Sequence, residues 1–136
     1  MKRIYVILAV IFTAFVFSSC ASKMVFGVSQ IAPGAEGVAK VSASKNGNYI
    51  LTVKVFNLAE PGRLTPPKSV YSVWTETYGG DARNQGMIKV SSTIFSKTMK
   101  GTFKTVSISK PTKVFITAEE NGEAQYPSDQ VVLKTE

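Results

Sequence analysis

Apolar positions fall into two regimes along this chain. From Ile4 to Phe17 they run almost without interruption, only Thr13 breaking the fourteen-residue stretch, and Lys2 and Arg3 precede it. As a helix that stretch reaches about 21 Å at ~1.5 Å per residue, short of a ~30 Å hydrocarbon core. A short basic start, a short apolar run and the small residues Ser18 and Ser19 predict a signal peptide over 1–19 rather than a spanning anchor.

Beyond Pro33-Gly34 the pattern changes to alternation, the period of a half-buried strand. Met24–Val28 reads as a short first strand inside a tether spanning 20–34, and Gly37–Ser44 as the first strand of a domain over 35–136. Asn46-Gly47 supplies the positive-φ pair of a tight hairpin. The returning strand, Tyr49–Leu58, sets Tyr49, Leu51, Val53 and Val55 on one face and Ile50, Thr52, Lys54 and Phe56 on the other. Three prolines between Glu60 and Lys68 mark a crossing loop, since proline cannot enter a central ladder.

Ser69–Tyr78 follows as a strand with Tyr71 and Trp74 on opposite faces, and Gly79–Gln85 reads as a polar turn. Met87–Phe95, Thr102–Ser109, Thr112–Glu119 and Asp129–Thr135 complete the set, separated by Ser96–Gly101, Lys110-Pro111 and Asn121-Gly122. About seven short strands with turn residues roughly every ten positions predict an all-β, antiparallel, immunoglobulin-like sandwich.

Composition narrows the chemistry. Without residues 1–19 the chain has 117 residues, one domain's worth, with fourteen basic residues against nine acidic ones, a net charge of about +5. It has no histidine, which removes the usual neutral-pH base, the commonest metal ligand and a Ser-His-Asp triad. Cys20 is the only cysteine, so no intrachain disulfide forms. These facts disfavour most hydrolase and metalloenzyme readings.

Two resemblances add to this. Ser18-Ser19-Cys20 after an apolar run resembles the lipobox of bacterial lipoproteins, with Phe17 where that pattern prefers leucine. The resemblance implies cleavage before Cys20, diacylglycerol on its sulfur, and acyl chains as the only attached group, no cofactor or metal being expected. It also implies export and anchoring on a membrane, and Ala21 in place of a retaining Asp favours the outer membrane of a Gram-negative cell.

Separately, Leu58, the Pro-Gly and Pro-Pro loop and Tyr71-Ser-Val-Trp74 resemble a segment of the extracytoplasmic domain of anti-sigma-K-type factors. Gly86-Met-Ile88 and Val114–Glu119 with Gly122 and Pro127 are similar to its later steps, so the likeness covers about residues 48–134. It implies an immunoglobulin-like sandwich outside the cytoplasm. It carries over neither sigma-factor binding nor any catalytic residue.

Among candidate sites, Trp74 is expected in the core between the sheets. Lys89, Lys97, Lys100, Lys104, Lys110 and Lys113 form a basic stretch with no acid between Asp81 and Glu119. Its functional reading is contact with acidic lipid, glycan or an acidic envelope protein; its structural reading is solvated turns and guarded strand edges. Nucleic acid is disfavoured, only Arg63 and Arg83 remaining after residue 19. The expectation is a non-catalytic, lipid-anchored sandwich that binds or supports an envelope component. The alternatives are a glycan-acting enzyme using carboxylates such as Glu76 and Glu119, and a regulator related to anti-sigma factors.

Overall fold

The computed structural model describes residues 20–92 and 95–136. The apolar run and the Ser18-Ser19 step lie outside the described residues. Among the described residues no helix is long and apolar enough to cross a membrane.

Nine strands form two antiparallel sheets: β1 (Ser22–Val25), β2 (Glu36–Ala43), β3 (Tyr49–Leu58), β4 (Val70–Glu76), β5 (Arg83–Met87), β6 (Val90–Ser91), β7 (Met99–Ser107), β8 (Lys113–Glu119) and β9 (Val131–Lys134). The first sheet has the order β1-β2-β3-β7-β6 and the second β5-β4-β8-β9. With β1 set aside, these are the A-B-E-D and C′-C-F-G orders of an immunoglobulin-type sandwich.

The core follows from alternation. Ala39, Val41, Leu51, Val53, Val55 and Leu58 of the first sheet pack with Tyr71, Val73, Val114, Ile116 and Ala118 of the second. The Tyr71 hydroxyl donates to the Ala59 carbonyl at 2.8 Å, which satisfies the one polar atom that this ring carries inward. Burial pushes its phenol up to about 12.

The two long sides of the sandwich are closed in different ways. On one, Phe26 bridges to Thr135 and the Gly27 amide donates to the Lys134 carbonyl at 2.9 Å. On the other the chain itself passes from β5 to β6 through Ile88 and Lys89, and the buried Ile88 amide donates to the Tyr71 carbonyl at 3.0 Å.

Several expectations are corrected in detail. The short first strand expected over Met24–Val28 forms two residues earlier, as β1, which pairs with β2 from Ser22↔Val41 to Val25↔Val38, and Phe26 joins the core. Arg83–Gln85 is strand rather than turn, because β5 pairs with β4 around a register shift between Val73 and Trp74. The stretch expected as one strand from Met87 divides between the two sheets at Ile88-Lys89. Met99-Lys100-Gly101, expected as turn, extends β7. The described residues therefore hold nine strands where about seven were expected.

Candidate functional site

The first sheet turns an open, basic face to solvent. On β1, β2, β3 and β7 the residues that alternate with the core positions form rows by register. Lys23 pairs with Lys40, Lys40 with Thr52, and Thr52 with Lys104. The next row runs Val25, Val38, Lys54 and Thr102. At the far end Glu36 pairs with Phe56, and Ser91 with Lys100.

Lys89, from the β5–β6 crossing, lines one shallow concavity of about 370 Å³ together with Lys54, Phe56, Ser91, Lys100 and Thr102. Among the described residues six lysines (23, 40, 54, 89, 100 and 104), all exposed, thus converge on this face, and Glu36 is its single acid. The ion pairs among the described residues lie elsewhere: Glu60 with Arg63, Glu120 with Lys68, and Glu76 with Lys113.

The face is also apolar in places. Phe56 is 44 % exposed and Val25 60 %. A β-bulge sets Phe56 where it is. Between Val55 and Leu58 the register with β7 shifts, and Asn57 takes a left-handed conformation at φ 56°. Asparagine tolerates that region better than most residues, so the bulge is affordable at this position.

The basic stretch expected from the sequence therefore divides. Lys89, Lys100 and Lys104 belong to the open face. Lys97 lies exposed in the β6–β7 loop, and Lys110 in the β7–β8 loop. Lys113 sits on the other sheet, its Nζ 3.0 Å from the Glu76 carboxylate. The face gains Lys23, Lys40 and Lys54, which sequence reasoning did not collect. No local signal marked them: each is a single lysine on its strand, and only register sets them in rows with β7.

The second sheet treats its outer face in the opposite way. Trp74 is on that face, not between the sheets as expected, since Tyr71 and Val73 hold the inward parity of β4. Yet Trp74 is fully buried. Its ring stacks on Phe115, centroids 6.2 Å apart and planes within 9°. Its indole N–H donates to Thr117 Oγ1 at 2.8 Å, and that hydroxyl donates to the Glu119 carboxylate. The same carboxylate oxygen accepts the Ser128 amide at 2.9 Å.

Asn84, in register with Trp74, donates to the carbonyls of Gly122 at 3.1 Å and Ala124 at 2.8 Å. The β8–β9 loop is thereby drawn across this face and covers the tryptophan. A surface platform built on Trp74 is excluded by its burial.

Glu76 and Glu119 share the outer parity of this sheet but do not meet. Glu76 is opposite Lys113 and Glu119 opposite Val70, six residues along the ladder. At ~3.3 Å per residue that is about 20 Å, beyond the roughly 5–9.5 Å that separates paired glycosidase carboxylates. Glu76 bonds Lys113, and Glu119 serves the loop. Among the described residues no three His, Cys, Asp or Glu side chains gather as a metal site.

Cys20 is exposed and has no disulfide partner, two positions before β1. No family model, curated protein or solved structure matches the chain.

Proposed function

We propose that this chain is an exported, membrane-anchored lipoprotein, acylated on Cys20, whose sandwich binds or supports another component of the cell envelope. The observation that carries this reading is the placement of Cys20, exposed and only two positions from the edge strand β1. An acyl anchor there leaves almost no free chain between membrane and fold. Each residue spans at most ~3.6 Å, so Cys20 and Ser22 lie within about 7 Å of one another. The folded domain is then held against the bilayer.

Two or three acyl chains anchor firmly, because each buried methylene contributes about 0.8 kcal/mol. The test is metabolic labelling with palmitate in a bacterial host. Label is expected on the parent chain and lost in Cys20→Ala, with the variant released from the membrane fraction. Equal labelling of parent and variant refutes the reading. The partner is sought by crosslinking the anchored chain in the intact envelope. Recovery of no envelope component refutes the binding role and leaves the anchor standing.

A further inference from the structure

We infer that the outer face of the first sheet lies flat on an anionic phospholipid surface, so that the bilayer carrying the anchor is also the ligand of the domain. The inference takes its geometry of approach from the Cys20 anchor proposed above. Its charge argument is independent of that anchor.

The first observation is charge segregation. Residues 20–136 carry fourteen basic and nine acidic side chains. Six of the basic residues and only Glu36 of the acidic ones belong to this face. The rest of the domain is left with eight of each and is neutral overall. One face thus holds the whole net charge of about +5. Interspersed surface charge gives no such asymmetry; a face of one sign opposite a neutral remainder orients the molecule in a field.

The second observation is the mixture of side chains. Lysine bears a flexible, compact ammonium suited to many phosphates rather than to one bidentate partner, and no arginine is on this face. Phe56 sits among Lys54, Lys89 and Lys100. An aromatic ring amid lysines matches the boundary between headgroups and acyl chains, where the ring inserts and the ammonium groups stay with phosphate. An acidic protein partner would have to form its own complementary strip over a lysine sheet face. A lipid surface is fluid and needs no such match.

The third observation is distance. The lysine rows begin at Lys23, three residues after Cys20. From β1 to β7 the face is three inter-strand steps wide, about 14 Å at ~4.8 Å each. Laid flat on the bilayer, the face brings all its lysines within a Debye length of about 8 Å at physiological ionic strength. Each lysine near an anionic leaflet then strengthens contact about fivefold, so removing three lowers it roughly a hundredfold.

The test uses the full chain with a photoreactive residue. Thr102→benzoylphenylalanine puts the probe in the middle of the lysine face, and Glu123→benzoylphenylalanine puts it in the loop over the opposite face. After irradiation of the intact envelope, mass spectrometry of the adducts is expected to find anionic phospholipid on the first and not on the second. In the Thr102 probe background, Lys40→Gln/Lys54→Gln/Lys104→Gln is expected to lower the phospholipid adduct by at least about tenfold, and the matching arginine variants to keep it.

Purified full chain is then reconstituted in vesicles, either of phosphatidylcholine alone or of equal parts phosphatidylcholine and phosphatidylglycerol. The Thr102 adduct is expected only in the charged vesicles. Equal adducts at both probes, an adduct indifferent to vesicle charge, or glycan or protein alone at the Thr102 probe each overturns the inference. Palmitate labelling in the same cells separates the two readings. Label without face-specific adducts refutes the docked face and keeps the anchor; adducts without label refute the anchor and keep the face.

Discussion

Thr117→Val removes one hydroxyl from the middle of the β8–β9 loop's attachment and keeps the side chain's shape. Two hydrogen bonds end at that atom, one from the Trp74 indole and one to the Glu119 carboxylate. The indole N–H has no water to turn to, because Trp74 is fully buried. An unsatisfied buried donor costs about 1–3 kcal/mol, and a hydrogen bond to a charged group contributes about 1.5–3 kcal/mol, so the loss is about 2.5–6 kcal/mol. For 117 residues, unfolding entropy near ~2.1 cal/mol/K per residue turns each kcal/mol into about 4 °C, or a fall in Tm of about 10–24 °C. Thermal melts followed by Trp74 fluorescence and by far-ultraviolet dichroism read this directly. Thr117→Ser, which restores the hydroxyl, is expected to recover most of the loss. A Thr117→Val chain melting within about 3 °C of the parent would refute the claim that this hydroxyl holds the loop.

Two further expectations concern the inner parts of the sandwich. A Cβ at Gly101 would stand 2.7 Å from the Lys89 carbonyl and 3.1 Å from Val90, so Gly101→Ala should push β6 off β7 and cost about 1–3 kcal/mol, read as a lower denaturant midpoint. Tyr71 should show in alkaline titration: its phenol ionises near 12 in the fold against 10.0 in an exposed chain. The unfolded state releases that proton first, so this residue's effect is nil below about pH 10 and lowers stability from there to about pH 12. Tyr71→Phe should flatten that window in melts across pH while losing the bond to the Ala59 carbonyl; an unchanged slope would count against the burial argument.

Alternation carried most of the fold. Leu51, Val53 and Val55 face inward as their period requires, and the Asn46-Gly47 turn joins β2 to β3, though Gly47 alone of the expected positive-φ pair takes that conformation, at φ 78°. What alternation left undecided is which face of a strand is inner when both are dry. Residues 71–75 of β4 are all buried, because the β8–β9 loop covers the outer parity. Period two separated Tyr71 from Trp74 but had no means of saying which of them looked at the other sheet.

The basic face was hidden for a different reason. Reading along the chain groups Lys97, Lys110 and Lys113 with Lys104, whereas register groups Lys23 and Lys40 with Lys104 across three strands. A lone lysine per strand has no local signature; the row exists only after pairing. The crossing at Ile88-Lys89 was equally illegible, since a residue pair that leaves one sheet for the other looks in sequence like the interior of a single strand.

The two outer faces of this sandwich have opposite fates, and the contrast bears on function more than either face alone. On the second sheet a loop, an asparagine fork and a buried carboxylate exclude water from an aromatic pair. On the first, β2 and β3 are joined by a tight turn at their ends, and β7 displays Lys100, Thr102 and Lys104 openly along its length. Packing requires neither six uncovered lysines nor an exposed phenylalanine on a bulge, for the core is complete behind them. Mutual repulsion among those lysines opposes folding, and anions gathered at the face relieve it. That basic face is also the one whose first strand follows Cys20.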